Sequence, residues 1–312
     1  MQTLSRILVG VDFHRTTGEL PLPTRRAIEK SLWLAEKTGA KLTLMSVLRG
    51  PAPSSENELE SSAGSEYQHL ISEQIETFIE KGRSAGVEVS SKFVYGRGWY
   101  ELTREVIRED FDLIIVGTRE KSAATRMLYG STAVKLLRKC PCPVWVTRPD
   151  VDPESATTIV AADDLSPVGE KVLHTAVSTA QFIDARLLIV SAVSYPLEGA
   201  MMRTECSQED LDKYRLKIQT DAEREVFDRL SMTDYRTIQQ GTQIIVQGGP
   251  ADTVVEQVVV ENHADLLVMG TIGRGGVPGF LIGNTAERLL YGLQCSLLAI
   301  KPDDFVSPVK AD

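Results

Sequence analysis

The strongest constraint on this chain is that it repeats itself. Asp112-Leu113-Ile114-Ile115-Val116-Gly117 returns 153 positions later as Asp265-Leu266-Leu267-Val268-Met269-Gly270. The same offset carries Gly130 onto Gly283, Cys142 onto Cys295 and Arg148-Pro149-Asp150 onto Lys301-Pro302-Asp303. At an offset of 152, Ile7 to Asp12 falls on Ile159 to Asp164. Two copies of one fold therefore account for all 312 residues, and each copy is long enough to bury a core of its own. The polar, proline-bounded stretch 149–155 divides them. It predicts one domain over residues 1–150 and a second over 156–312.

Within each copy, strand-like and helix-like segments alternate. In the first copy the strands are Arg6–Asp12, Lys41–Leu48, Val87–Val94, Asp112–Gly117 and Pro143–Thr147. Helical spacing of apolar residues marks Thr24–Thr38, Tyr67–Ala85, Tyr100–Glu109 and a helix from Ser131. The Pro/Ser/Glu-rich stretch 50–64 reads as a mobile loop. The second copy repeats the order, from a strand over Thr157–Asp163 to one over Ser296–Ile300. A loop runs through Gly199 and Cys206, and a helix spans Gln208–Leu230. Strands apolar on both faces with helices between them imply a parallel sheet covered on two sides. Ligands of such sheets bind beyond the carboxyl ends of the strands.

Several functions lack their signatures. The formal net charge of -9 argues against binding nucleic acid through its phosphates. No run approaches the length of a membrane span, and Met1 to Arg6 leads into a strand rather than a signal peptide, so a cytoplasmic location is expected. Cys140, Cys142, Cys206 and Cys295 form no disulfide framework, and Cys142 and Cys295 read as small apolar residues entering strands. His14, His69, His174 and His263 never pair at metal-ligand spacing. The dinucleotide, P-loop and serine-hydrolase motifs are absent from the sequence, and no acid–base pair lies near the glycines, so no catalysis is expected.

The chemistry concentrates between residues 264 and 290. After the apolar strand come Gly270 and Gly273, a loop of nine residues, and then Gly283-Asn284-Thr285 opening a helix. A helix start presents unmet N–H groups, the usual seat of an anion. Glycines there serve either a tight strand-to-helix turn or a close backbone approach to a ligand. For Gly117 and Gly130 the turn is the weightier explanation. For Gly270, Gly273, Gly275, Gly276 and Gly283 the two stand level. Asp12 and Asp164, at the ends of the first strands, either contact a ligand or cap their own turns, and Asp163 leaves the register open by one residue.

Taken together, a parallel five-stranded domain, Asp at the end of strand one, and Gly-x2-Gly-x9-Gly-Ser/Thr after strand four resemble the universal stress protein family. The resemblance covers the chain twice and is similar to the tandem, E-type branch of enteric bacteria. It implies a cytoplasmic bacterial stress-response protein, not an enzyme, made of two Rossmann-like α/β domains of strand order 3-2-1-4-5 packed as a pseudo-dimer. ATP-binding members hold adenine near the strand-one Asp and phosphates on the glycine loop. Carried over, the ligand residues are Asp164, Ala192, Gly270, Gly273, Gly283, Asn284 and Thr285, with ATP and Mg²⁺ as the implied ligand. Asn284 replaces the Ser or Thr hydroxyl of the pattern. In the first copy Gly117, Gly130 and Ser131 match, but Glu120 replaces the middle glycine and brings a like charge to where phosphates would lie. The first site is therefore expected to be nucleotide-poor. Two other readings remain: a ligand-free scaffold that recruits protein partners, and a weak ATP hydrolase. Dimerisation through the last strand of each domain is also implied. A tandem chain can meet that requirement within one molecule, with a homodimer as the alternative.

Overall fold

A computed structural model describes residues 4–14, 17–48, 62–118, 129–148, 158–204, 206–272 and 283–311. Glu120, Gly273 to Gly276, the divider 149–155 and most of the stretch 50–64 lie outside the described residues. The chain separates into two compact units: Gln2–Glu154 together with Asp303–Asp312, and Ser155–Pro302. Residues 303–312, placed in the second domain on sequence grounds, thus group with the first copy. Val309 is buried there, Ser307 Oγ donates to the Lys139 carbonyl (2.8 Å), and the Ala311 carbonyl accepts from Arg104 Nε.

The first unit runs β1 (Arg6–Val11), α1 (Leu22–Thr38), β2 (Lys41–Leu48), α2 (Ser62–Ser84), β3 (Val89–Tyr95), α3 (Gly98–Glu109), β4 (Leu113–Gly117), α4 (Ser131–Lys139) and β5 (Val144–Thr147). All pairings in it are parallel, in the order β3-β2-β1-β4-β5. The second unit runs β6 (Thr158–Ala162), α5 (Pro167–Ile183), β7 (Arg186–Val193), α6 (Glu198–Arg203), α7 (Gln208–Ser231), β8 (Thr242–Gly248), α8 (Ala251–Glu261), β9 (Leu266–Gly270), α9 (Asn284–Gly292) and β10 (Ser296–Ile300). Its order, β10-β9-β6-β7-β8, is again 3-2-1-4-5 counted within the unit. Strand order therefore reverses beside β1 and β6, which is where ligands of open parallel sheets collect.

Burial explains the order. Residues Leu113–Val116 and Leu266–Met269 are buried throughout, as strands covered on both faces must be. β3 and β8, the third strands, are only partly buried and mix polar with apolar residues, which suits the margin of a sheet. Asp112 and Asp265, which stand just before these central strands, act as pins. Asp112 Oδ2 accepts from the amides of Ser5 and Arg6 (2.7 and 2.8 Å), and Asp265 Oδ2 from that of Thr158 (3.0 Å). Each holds the start of its unit's first strand.

Beyond shifts of one or two residues at element ends, two segments differ from the sequence expectation. The loop through Gly199 contains the short helix α6, and α2 begins at Ser62 rather than at Tyr67. Cys142 and Cys295 are buried at the entries to β5 and β10, in line with their reading as small apolar residues.

Candidate functional site at the strand ends of the second unit

Strand pairing resolves the register of the adjacent aspartates. Ile7 pairs with Leu113 and Ile159 with Leu266, so the two first strands are equivalent at an offset of 152. Asp164 therefore stands where Asp12 stands, and Asp163 takes the place of the buried Val11. Because Ala162 pairs with Val190 and with Met269, Asp164, Ala192 and Gly270 lie at the carboxyl ends of three neighbouring strands.

The Gly283 amide donates to the Thr271 carbonyl (2.7 Å), and Thr271 N donates to the Ile300 carbonyl (3.0 Å). The two ends of the glycine loop are thereby tied together beside Gly270. Gly283 is the N-cap of α9 and supplies no side chain to its first turn; Gly130 does the same for α4. By contrast α5 and α7 are capped by Ser166 and Ser207. Among the described residues no side chain caps the amides that open α9, and Asn284 and Thr285 are exposed in that turn. Six of the seven predicted residues come to one edge of the sheet. The seventh, Gly273, lies outside the described residues.

Two of the six also have reasons of their own. A Cβ on Gly270 would lie 2.7 Å from Val168 Cγ1 of α5, and one on Gly117 would lie 2.4 Å from the Pro23 carbonyl oxygen of α1. Strand-end glycine in both units lets the first helix cross the central strand. Asp164 Oδ1 accepts from the Ser166 amide (3.1 Å) and hydroxyl, and so braces its own turn.

Sequence reasoning left Asp163 undecided and missed Arg229 and Gly169. Asp163 Oδ1 accepts from Leu165 N (2.8 Å) and lies 3.8 Å from Arg229 Nη1. Burial is the main cause that raises its pKa above the ordinary aspartate value. The Leu165 bond and Arg229 act against that, while Asp164 and Glu225 add to it. The Asp-Asp doublet was the only sequence signal. Arg229 is 66 positions further on in α7, where nothing in its spacing marks it.

Two parallel α/β units of the same strand order, each with a glycine at the end of its central strand where the order reverses, define a tandem Rossmann-like architecture. The chain belongs to the universal stress protein family, whose model matches residues 3–148 and 156–301. It is 27% identical to universal stress protein E of Escherichia coli K12 over 256 residues, covering 78% of this chain and 79% of that one. It is 24% identical to the Photorhabdus laumondii protein of the same name over 301 residues, 91% and 93% of the two chains. Among solved structures, a universal stress protein of Archaeoglobus fulgidus superposes with a TM-score of 0.67 at 15% identity, covering 96% of this chain and 99% of that one. That likeness shows the fold. Among the described residues, no helix is long and apolar enough to cross a membrane.

Proposed function

We propose that the chain is a cytoplasmic, non-enzymatic stress-response protein whose second unit binds an adenine nucleotide at the strand edge. The observation that carries this reading is the convergence of Asp164, Ala192 and Gly270 with the side-chain-free start of α9, whose loop is closed by the Gly283–Thr271 bond. Phosphates suit the amides of α9, and the Asn284 amide can donate where the family pattern has a hydroxyl. Mg²⁺ would accompany ATP as its counter-ion. The first unit, with Glu120 in its loop, is read as nucleotide-poor.

A ligand-free scaffold is the second reading. It is favoured by the packing reason for Gly270 and by the turn bond of Asp164, neither of which needs a ligand. Exposed Leu197, Met202 and Leu216, around α6 and on α7, offer apolar surface to a protein partner. Calorimetric titration of the whole chain with ATP and Mg²⁺ separates the two. The nucleotide reading expects one site per chain, weakened at least about tenfold by Gly273→Glu, which copies the first unit's residue and brings a like charge to the phosphates. No heat and no co-purified nucleotide would leave the scaffold. Mg²⁺-dependent phosphate release abolished by the same substitution would instead establish a weak hydrolase.

A further inference from the structure

Residue 163 is an unusual place for a carboxylate. The equivalent position in the first unit is Val11, buried in the core, and the Asp163 side chain is fully buried too. Its Oδ1 takes the Leu165 amide, and its Oδ2 has no hydrogen-bond partner among the described residues. A buried polar atom left without a partner is costly, so packing alone does not explain an aspartate where valine would serve.

Three further features surround it. Arg229 reaches from α7 to donate to the carbonyls of Leu165 (2.6 Å) and Ser166 (3.0 Å), with Glu225 as its other anionic partner (3.0 Å). Leu165 itself has φ +59°, a left-handed conformation that a leucine keeps only where its surroundings impose it. And a Cβ at Gly169 would lie 2.1 Å from Asp163 Oδ1, so the carboxylate has room only because α5 carries glycine there.

We propose that Asp163 and Arg229 form a latch, present in the second unit only, that fastens the turn Asp163–Ser166 to α7 and so fixes where Asp164 stands at the ligand edge. Asp163 is in this sense a positioning residue: it acts on the nucleotide through the turn. The carboxylate holds the turn from inside by the Leu165 amide, and the guanidinium holds it from outside by the two carbonyls. The charged groups facing Asp163 are Arg229 and Glu225 on α7 and Asp164 in the turn itself.

The latch rests on the nucleotide reading only for its effect on binding, and its test separates the two. Amide exchange at Leu165, referenced to the core amide of Ile189, and titration with ATP and Mg²⁺ are measured for the wild-type chain, Asp163→Asn, Asp163→Val and Arg229→Gln. Asn keeps an acceptor for the Leu165 amide, so its exchange and its affinity stay within about threefold of wild type. Val and Arg229→Gln each lose about tenfold in Leu165 protection, the order of one hydrogen bond, and about as much in affinity. Unchanged Leu165 protection in Asp163→Val overturns the latch, and lost protection with unchanged affinity overturns its positioning role. If the wild-type chain takes up no ATP, the nucleotide reading falls and the latch is decided by exchange alone. Should Asp163→Val fail to fold, Arg229→Gln supplies the same comparison with Asp163→Asn.

Discussion

Substituting Gly270 by alanine tests whether strand-end glycine is demanded by helix packing. The new methyl would stand 2.7 Å from Val168 Cγ1, a branched side chain in the second residue of α5 that is itself buried. Carbon atoms prefer about 3.5–4.0 Å, so helix and strand must part by about 1 Å. Overpacking of this kind costs about 1–3 kcal/mol. Gly270 does not occupy the left-handed region, so alanine adds no backbone strain and recovers about 0.4–1 kcal/mol from the unfolded state. The net expectation is a loss of about 1–2 kcal/mol. Val168→Ala removes the obstructing methyls at a cost of its own of about 1.6 kcal/mol for two buried carbons. In the double variant the clash is gone while alanine's unfolded-state gain remains, so the two losses fail to add and the coupling energy is the clash itself, about 1–3 kcal/mol. Urea denaturation of the four chains, with each unit's transition followed separately, measures it. Additive losses, or an unperturbed Gly270→Ala chain, would show that the helix crossing does not require glycine. The choice would then have to be traced to the ligand.

Two other expectations follow from the buried carboxylate and the returning tail. The native pKa of Asp163 is raised above the 3.8 of a free aspartate, so the native state holds its proton more tightly than the unfolded chain does. Its destabilising charge is fully felt above the native value and vanishes below 3.8; the stability gained by Asp163→Asn is therefore largest above the raised native value and shrinks on acidification from there towards 3.8, as denaturation midpoints at stepped pH will show. Deleting residues 303–312 removes the buried Val309 and the Ser307–Lys139 bond, and lowers the stability of the first unit, not the second, by about 2 kcal/mol in the same urea experiment.

Much of the fold could be read from the chain because its signals are local and doubled. The apolar runs Leu113–Val116 and Leu266–Met269 are continuous because each strand is covered on both faces, and continuity is visible in one dimension. Ser166 before Pro167 and Ser207 before α7 carry the chemistry of a helix start on the chain itself, and each side chain caps the helix that follows. The glycine spacing located the candidate edge, since Gly270 and Gly283 flank one loop. The short helix α6 went unseen because it buries none of its residues, leaving no apolar period to detect.

What the sequence by itself determined was the repeat, the α/β class of each copy, and which residues end the strands, all of them consequences of period, spacing and backbone chemistry. Tertiary structure alone decided three things. It showed that the last ten residues belong with the first unit, because burial of Val309 depends on what lies beside it in space. It made Asp164, rather than Asp163, the equivalent of Asp12, because register is a property of strand pairs. And it joined Asp163 to Arg229 and Gly169, because a contact across 66 residues leaves no periodic trace in the chain that makes it.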